Sequence, residues 1–345
     1  MPDSAPKASM RLGKKLLKSR EITSILFLLF LFLGVGAVNA KFLTLQNIML
    51  SLNSGVVYTV IAIGIAFVII TGEIDVSVGA TMGMSAAVFA TLIRDGANWG
   101  LAAMVSLGIG LVIGLINGVG VTVLKIPSII MTLGINGIVR GLIYVFTGGK
   151  WVENLPAGFK ALSQLSLGQI TYFYLSALIF MAVTHIVLTR TRRGRYLAAV
   201  GDNLGGATLL GIPVTAVKIS SFVLCGMLAA AGGMLYVSRV GFVTPTAGNG
   251  YEMKVIAACV LGGISLTGGV GSVIGAAVGA AIMASISRVL VFLGFPSDYD
   301  NTITGILLIT IVVVDALLQS KARERARRAR LAARTAHAQG EAHHG

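Results

Sequence analysis

Long apolar runs alternate with short polar or glycine-rich stretches along almost the whole chain. Ten such runs stand out, at residues 22–38, 48–70, 76–93, 99–124, 126–146, 170–188, 219–237, 253–266, 271–292 and 302–318. Most approach the roughly 20 residues a helix needs to cross a bilayer. The pattern therefore predicts an all-α polytopic membrane protein with about ten transmembrane helices. The first run resembles a signal peptide cut after Val38-Asn39-Ala40, but its length and the further runs behind it favour a retained signal-anchor helix. Three parts are expected: a basic segment over 1–21, a transmembrane body over 22–318, and a basic, disordered tail over 319–345.

Composition agrees with the pattern, since 55% of the residues are hydrophobic, 12% are charged and the mean hydropathy is +0.88. A soluble fold of 345 residues has no interior large enough for that much apolar surface. The formal charge of +14 does not point to nucleic acid. Most Lys and Arg residues lie in the two tails and in the loop 190–218, where basic flanks mark the cytoplasmic face of a membrane protein. With an even number of spans, both termini are expected in the cytoplasm. Cys225 and Cys259 fall inside apolar runs and read as small buried hydrophobes, and no metal-ligand spacing occurs.

The loop 190–218 is the longest polar insertion, opening with Arg190, Arg192, Arg193 and Arg195. Within it, Gly201-Asp202-Asn203 can start a short helix with Asn203 or Asp202 as N-cap, and Gly211-Ile212-Pro213 stops it after about two turns. Glycine is abundant, at 44 residues, and falls at helix-packing spacing in Gly110, Gly114 and Gly118 and again in Gly271, Gly275 and Gly279. A weak likeness also links residues 72–80 to residues 263–271, as expected of a duplicated unit.

At these residues the chain resembles a known family. Gly72-Glu73-Ile74-Asp75-Val76-Ser77-Val78-Gly79 is similar to the first signature of permease subunits in ribose-, xylose- and galactose-type ABC importers. Residues 261–272, with Gly262, Gly263, Gly268 and Gly269, resemble their second glycine-rich signature. Between the two, residues 194–203 followed by Gly211-Ile212 resemble the loop that docks the ATPase subunit. Within the family, residues 251–260 look most like autoinducer-2 permeases and next like rhamnose permeases. Glu73 stands where the family has glycine, and Leu204-Gly205-Gly206 where it commonly has Glu-Ala-Ala. Each helical glycine weakens a helix by about 1 kcal/mol relative to alanine, so a looser ATPase contact, or a partner permease with a stronger one, is expected.

The resemblance implies a multi-pass protein of the bacterial inner membrane that forms the pathway of an ATP-driven importer for a small sugar-like solute. It implies docking through Gly201, Asp202, Asn203, Leu204, Gly205, Gly206, Gly211 and Ile212, and signature roles for Gly72, Asp75, Ser77 and Gly79. The implied partners are an ABC ATPase, a second permease in a homo- or heterodimer, and an extracytoplasmic solute-binding protein docking at 147–169. ATP and magnesium would sit on the ATPase, since this chain has no Gly-x-x-x-x-Gly-Lys-Ser/Thr loop. No catalytic residue is expected.

Asn53, Tyr58, Asn117, Asn136 and Tyr144 offer amides and rings that could contact a sugar or could equally satisfy a neighbouring helix. The alternative is an ion-coupled secondary transporter, for which Arg140, Arg288, Asp315 and Lys254 are the ionisable candidates within or beside spans. Arg140 and Arg288 could equally snorkel or cap carbonyls. A membrane enzyme would need a side-chain constellation that the lone His185 and the tail histidines do not supply.

Overall fold

The computed structural model describes residues 20–296 and 299–314 together with 316, 317, 320 and 324. The basic N-terminal segment, Asp315 and most of the expected tail lie outside the described residues. The described chain is helical nearly throughout. In chain order the helices are α1 (Arg20–Val38), α2 (Leu45–Ser54), α3 (Val56–Ile70), α4 (Val78–Arg94), α5 (Trp99–Thr122), α6 (Ser128–Thr147) and α7 (Ala157–Leu162). Then come α8 (Tyr172–Arg190), α9 (Arg192–Asp202), α10 (Leu204–Leu209), α11 (Val214–Val240), α12 (Tyr251–Leu261), α13 (Val273–Phe292) and α14 (Tyr299–Val314). A small antiparallel ribbon, β1 (Ser166–Leu167) with β2 (Ile170–Thr171), precedes α8.

The described parts of the predicted apolar blocks are mostly helical, but fewer than ten of these helices are full-length spans. Among the described residues, six helices are long and apolar enough to cross a membrane, α1, α5, α6, α8, α11 and α13, or seven if the bent pair α2 and α3 is one span. The expected span 48–70 is instead a pair, α2 and α3, bent by 44°. Gly55 lies at the bend, where a Cβ would come 3.0 Å from the Leu52 carbonyl oxygen and 3.3 Å from Ala284 Cβ. The remaining blocks are the shorter α4, α12 and α14. Hydropathy reports how apolar a stretch is and not where its helix starts, so helices that begin inside the protein read as whole spans.

α3 is the axis of the bundle. It is apolar on all sides, and all of its residues except Tyr58 are buried, as expected of a helix with no polar face to turn outward. α11 packs along α3, α4 and α5, and α13 closes on α12 and α3. Both predicted glycine stripes are contact faces. A Cβ on Gly110 would overlap the Gly226 carbonyl of α11 and one on Gly114 the Phe222 carbonyl, while Gly275 and Gly279 face the Gly262 and Ala258 carbonyls. Backbones this close gain dispersion contacts, which substitute in lipid for the hydrophobic driving force.

Candidate functional site: a glycine junction and two ion pairs

Three stretches far apart in sequence converge at one end of the bundle. α3 stops in a Schellman turn, in which Gly72 (φ +83°) donates to the Ile69 carbonyl and Glu73 to the Val68 carbonyl. α12 stops in the same way, with Gly263 (φ +85°) donating to Val260 and Ile264 to Cys259. The likeness between residues 72–80 and 263–271 thus begins with one shared helix stop. Downstream, the Gly269 amide donates to the Ile70 carbonyl at 2.9 Å. A Cβ on Gly268 would lie 2.8 Å from Gly72 Cα and 3.1 Å from Gly201 Cα, and one on Gly269 would lie 2.8 Å from Asp202 Cα. Both signatures and the expected docking loop therefore meet backbone to backbone.

This placement corrects the reading of the loop. Gly201 and Asp202 do not start the short helix; they end α9 and form one side of the junction. Asn203 is the N-cap of α10, its Oδ1 accepting from the Gly206 amide at 2.9 Å. The expected stop at Gly211 and Ile212 is present as a third Schellman turn, with Gly211 at φ +72°. Gly205 and Gly206 lie within α10 and meet nothing except the Asn203 side chain. Leu204, Leu209 and Leu210 stand exposed, Leu209 at 91%.

Residues 73–77 cross the interior without helical structure, and side chains of neighbouring helices satisfy their backbone. The Ile74 amide donates to Ser128 Oγ at 3.2 Å and the Val76 amide to Thr132 Oγ1 at 3.1 Å. Asp75 Oδ1 accepts from both the amide and the hydroxyl of Ser77, and Asn117 Nδ2 donates to Ser77 Oγ at 2.8 Å. Irregular backbone at membrane depth is tolerated only with such internal partners. Glu73, which stands where a glycine was expected, pairs with Lys218 near the start of α11.

Further along, α12 begins next to a chain segment, 241–250, that packs against the first turns of α4. Gly79 and Gly83 make this possible, because a Cβ on either would overlap the 241–252 stretch, at Glu252 Oε2 and at the Ala247 carbonyl respectively. Arg140 of α6 donates to the Ala247 and Gly248 carbonyls at 2.8 Å each and pairs with Glu252 at 3.6 Å. Lys254 donates to Asp300 Oδ2 at 2.6 Å, as does Ser287 at 2.7 Å. Tyr251 stacks on Tyr58, with ring centroids 4.8 Å apart and an interplanar angle of 12°.

The residues considered for solute contact are not gathered in one place. Tyr58 lies at the ion pairs and Asn117 beneath Ser77. Asn53 joins α2 to β2, donating to the Gln169 carbonyl at 2.7 Å and accepting from the Thr171 amide at 3.0 Å. Tyr144 is exposed, and Asn136 Oδ1 is buried with no hydrogen-bond partner. Among the ionisable candidates, Arg140 caps carbonyls and Lys254 is paired. Glu252 and Asp300 were not singled out by sequence, although carboxylates inside or beside apolar blocks were the available signal.

Together these features define an all-α, multi-pass membrane protein with helices broken at depth and closed at one end by glycine contacts. The chain belongs to the family described as branched-chain amino acid transport system / permease component, which residues 47–312 match. It is therefore a transport permease of the inner membrane. It is 41% identical over 317 residues to the autoinducer 2 import system permease protein LsrC of Salmonella typhi, covering 91% of this chain and 90% of that protein. The LsrC protein of Escherichia coli O157:H7 is 40% identical over 301 residues, 87% of this chain and 88% of its own length. No solved structure matches the chain.

Proposed function

We propose that this protein is the membrane-spanning subunit of an ATP-driven importer for a small sugar-like solute, with autoinducer-2 as the first candidate. Its relatives' names support the solute. The observation that carries the ATPase partnership is α10: a capped helix bearing the bare leucines Leu209 and Leu210, in a loop rich in arginine. Apolar side chains this exposed outside the membrane are covered by a partner. α10 follows directly on Gly201 and Asp202, so displacement by an ATPase would reach the junction of both signatures without an intervening flexible linker. A second permease and a solute-binding protein complete the assembly in this reading. ATP and magnesium belong to the ATPase, and this chain contributes the pathway rather than a catalytic group.

Replacing both leucines with aspartate tests the reading. The doubly substituted permease should insert and fold normally but no longer co-purify with its ATPase, and ATP-dependent uptake should disappear. Retained association would remove α10 from the interface. Uptake in vesicles that survives removal of ATP would replace this reading with the ion-coupled one.

A further inference from the structure

Four arginines crowd the corner between α8 and α9. Arg190 is the last residue of α8, and Arg192, Arg193 and Arg195 fall in the first turn of α9. All four are exposed, and among the described residues none forms an ion pair with a carboxylate. The charges are badly placed for the helix itself. α9 has no acidic residue in its first turn, the positive end of its dipole faces the guanidinium groups, and Arg192 and Arg195 repel across one turn.

The corner lies at the edge of the hydrocarbon layer. α8 has 19 residues, about 28 Å at 1.5 Å per residue, which matches a layer of about 30 Å and leaves Arg190 at its border. Only 22% of its apolar window is buried in the protein, so most of α8 faces lipid. α9 does not lead away from that border. A Cβ on Gly194 would overlap the Leu188 carbonyl, and the Gly194 amide donates to Thr191 Oγ1 at 3.1 Å, so the first turn of α9 lies level with the last turn of α8. Beyond the corner Leu197 and Val200 are buried, and α9 packs on α3 and α11 on its way to Gly201 and Asp202 at the glycine junction.

We infer that this corner binds the phosphate headgroups of anionic phospholipids in the inner leaflet, which neutralise the arginines and hold the start of α9 at the membrane face. Clusters of four or more basic residues beside a span are drawn to a negatively charged leaflet. An acidic protein surface is the rival occupant, but guanidinium groups level with the end of a lipid-facing helix are already within reach of headgroups. Because α9 ends at the junction and α10 follows directly, lipid charge sets where α10 stands. The lipid contact does not depend on the importer reading.

The test uses the whole permease in phosphatidylcholine bilayers with either brominated phosphatidylglycerol or brominated phosphatidylcholine. Tyr196→Trp supplies a fluorophore on α9 beside the cluster, and the signal of Trp99 and Trp151 is subtracted with the unmodified chain. Quenching should show a preference for phosphatidylglycerol that weakens with added salt. The preference should fall about fivefold for each of Arg192→Gln, Arg193→Gln and Arg195→Gln, and survive replacement of the same arginines by lysine. In the unmodified chain, which needs no variant, hydrogen exchange at 192–200 should be slower in bilayers containing phosphatidylglycerol than in phosphatidylcholine alone. Equal quenching by the two lipids overturns the inference, as does a preference that all three glutamine variants retain in full. Soluble glycerol phosphate that protects 192–200 as well as the lipid does would make this a free-phosphate site. Protection by an added ATPase but not by phosphatidylglycerol would assign the cluster to the protein partner, and either result ends the lipid proposal.

Discussion

The glycine junction and the first turn of α12 both depend on glycines, but for opposite reasons. At the junction, Gly72, Gly201, Gly268 and Gly269 let backbones touch, and what is gained is contact with no side chain between. At α12, Gly79 keeps space open for a charged side chain, and what is gained is room for the Glu252 carboxylate paired with Arg140. One region brings backbones together; the other seats an ion pair. The same residue type serves rigidity in one place and chemistry in the other.

The sharpest way to break that contrast is Gly201→Val. Its Cβ would overlap the Ile70 carbonyl, and backbone on both sides cannot yield as a side chain tip would. The expected cost is about 3 kcal/mol or more, read as loss of monodisperse permease and a fall in thermal midpoint in detergent. If the variant is as stable as the unmodified chain, the junction is not tightly packed.

Next in size is the Glu73 pair with Lys218, which lies near the junction yet is built from charges. Glu73→Gly restores the residue expected at that position but strands a largely buried lysine. The single change should cost about 1–3 kcal/mol, less than a fully buried pair because both side chains keep some exposure. Adding Lys218→Met should recover most of it. A double-mutant cycle on thermal unfolding measures the coupling, and purely additive effects would mean the pair is incidental.

Arg140→Lys should act more locally. A lysine cannot make the two parallel bonds to the Ala247 and Gly248 carbonyls, so about 1 kcal/mol of holding energy is lost. Hydrogen exchange should quicken at 247–252 while the glycine junction stays protected. Equal change in both regions would show that they are one unit.

The smallest effect is expected in α10. Gly205→Ala with Gly206→Ala should firm that helix by up to about 2 kcal/mol while leaving ATPase co-purification and uptake intact. A methyl group on Gly205 has room, with Asn203 Oδ1 at 3.5 Å, whereas one on Gly206 comes 3.2 Å from Asn203 Cγ and needs the capping side chain to shift by a few tenths of an ångström. Loss of uptake would mean that α10 must flex to work.

Local chemistry was legible in the sequence. Apolar runs marked the membrane helices because a backbone in lipid must satisfy its own hydrogen bonds. Asn203 could be read as a cap and Gly211 as a stop because caps and Schellman turns involve neighbours only a few residues away. Glycine spacing pointed to the α5 and α13 contact faces. The broken helices were not legible, since 48–70 and 253–266 are as apolar as true spans and the bend at Gly55 is set by packing against Ala284. Asn203 and Asp202 were equal candidates for the cap until the contact between Gly269 and Asp202 placed the latter in α9.

By itself, then, the sequence determined that this chain is helical, lies in a membrane, and stops its helices at particular glycines. The tertiary structure alone decided that residues 72, 201 and 268 touch and that Glu73 finds Lys218 145 positions away and Lys254 finds Asp300 46 away. It also decided that Glu252 meets Arg140. Helix formation and capping are settled within a turn or two of chain, whereas the partner of a buried charge depends on how whole helices pack.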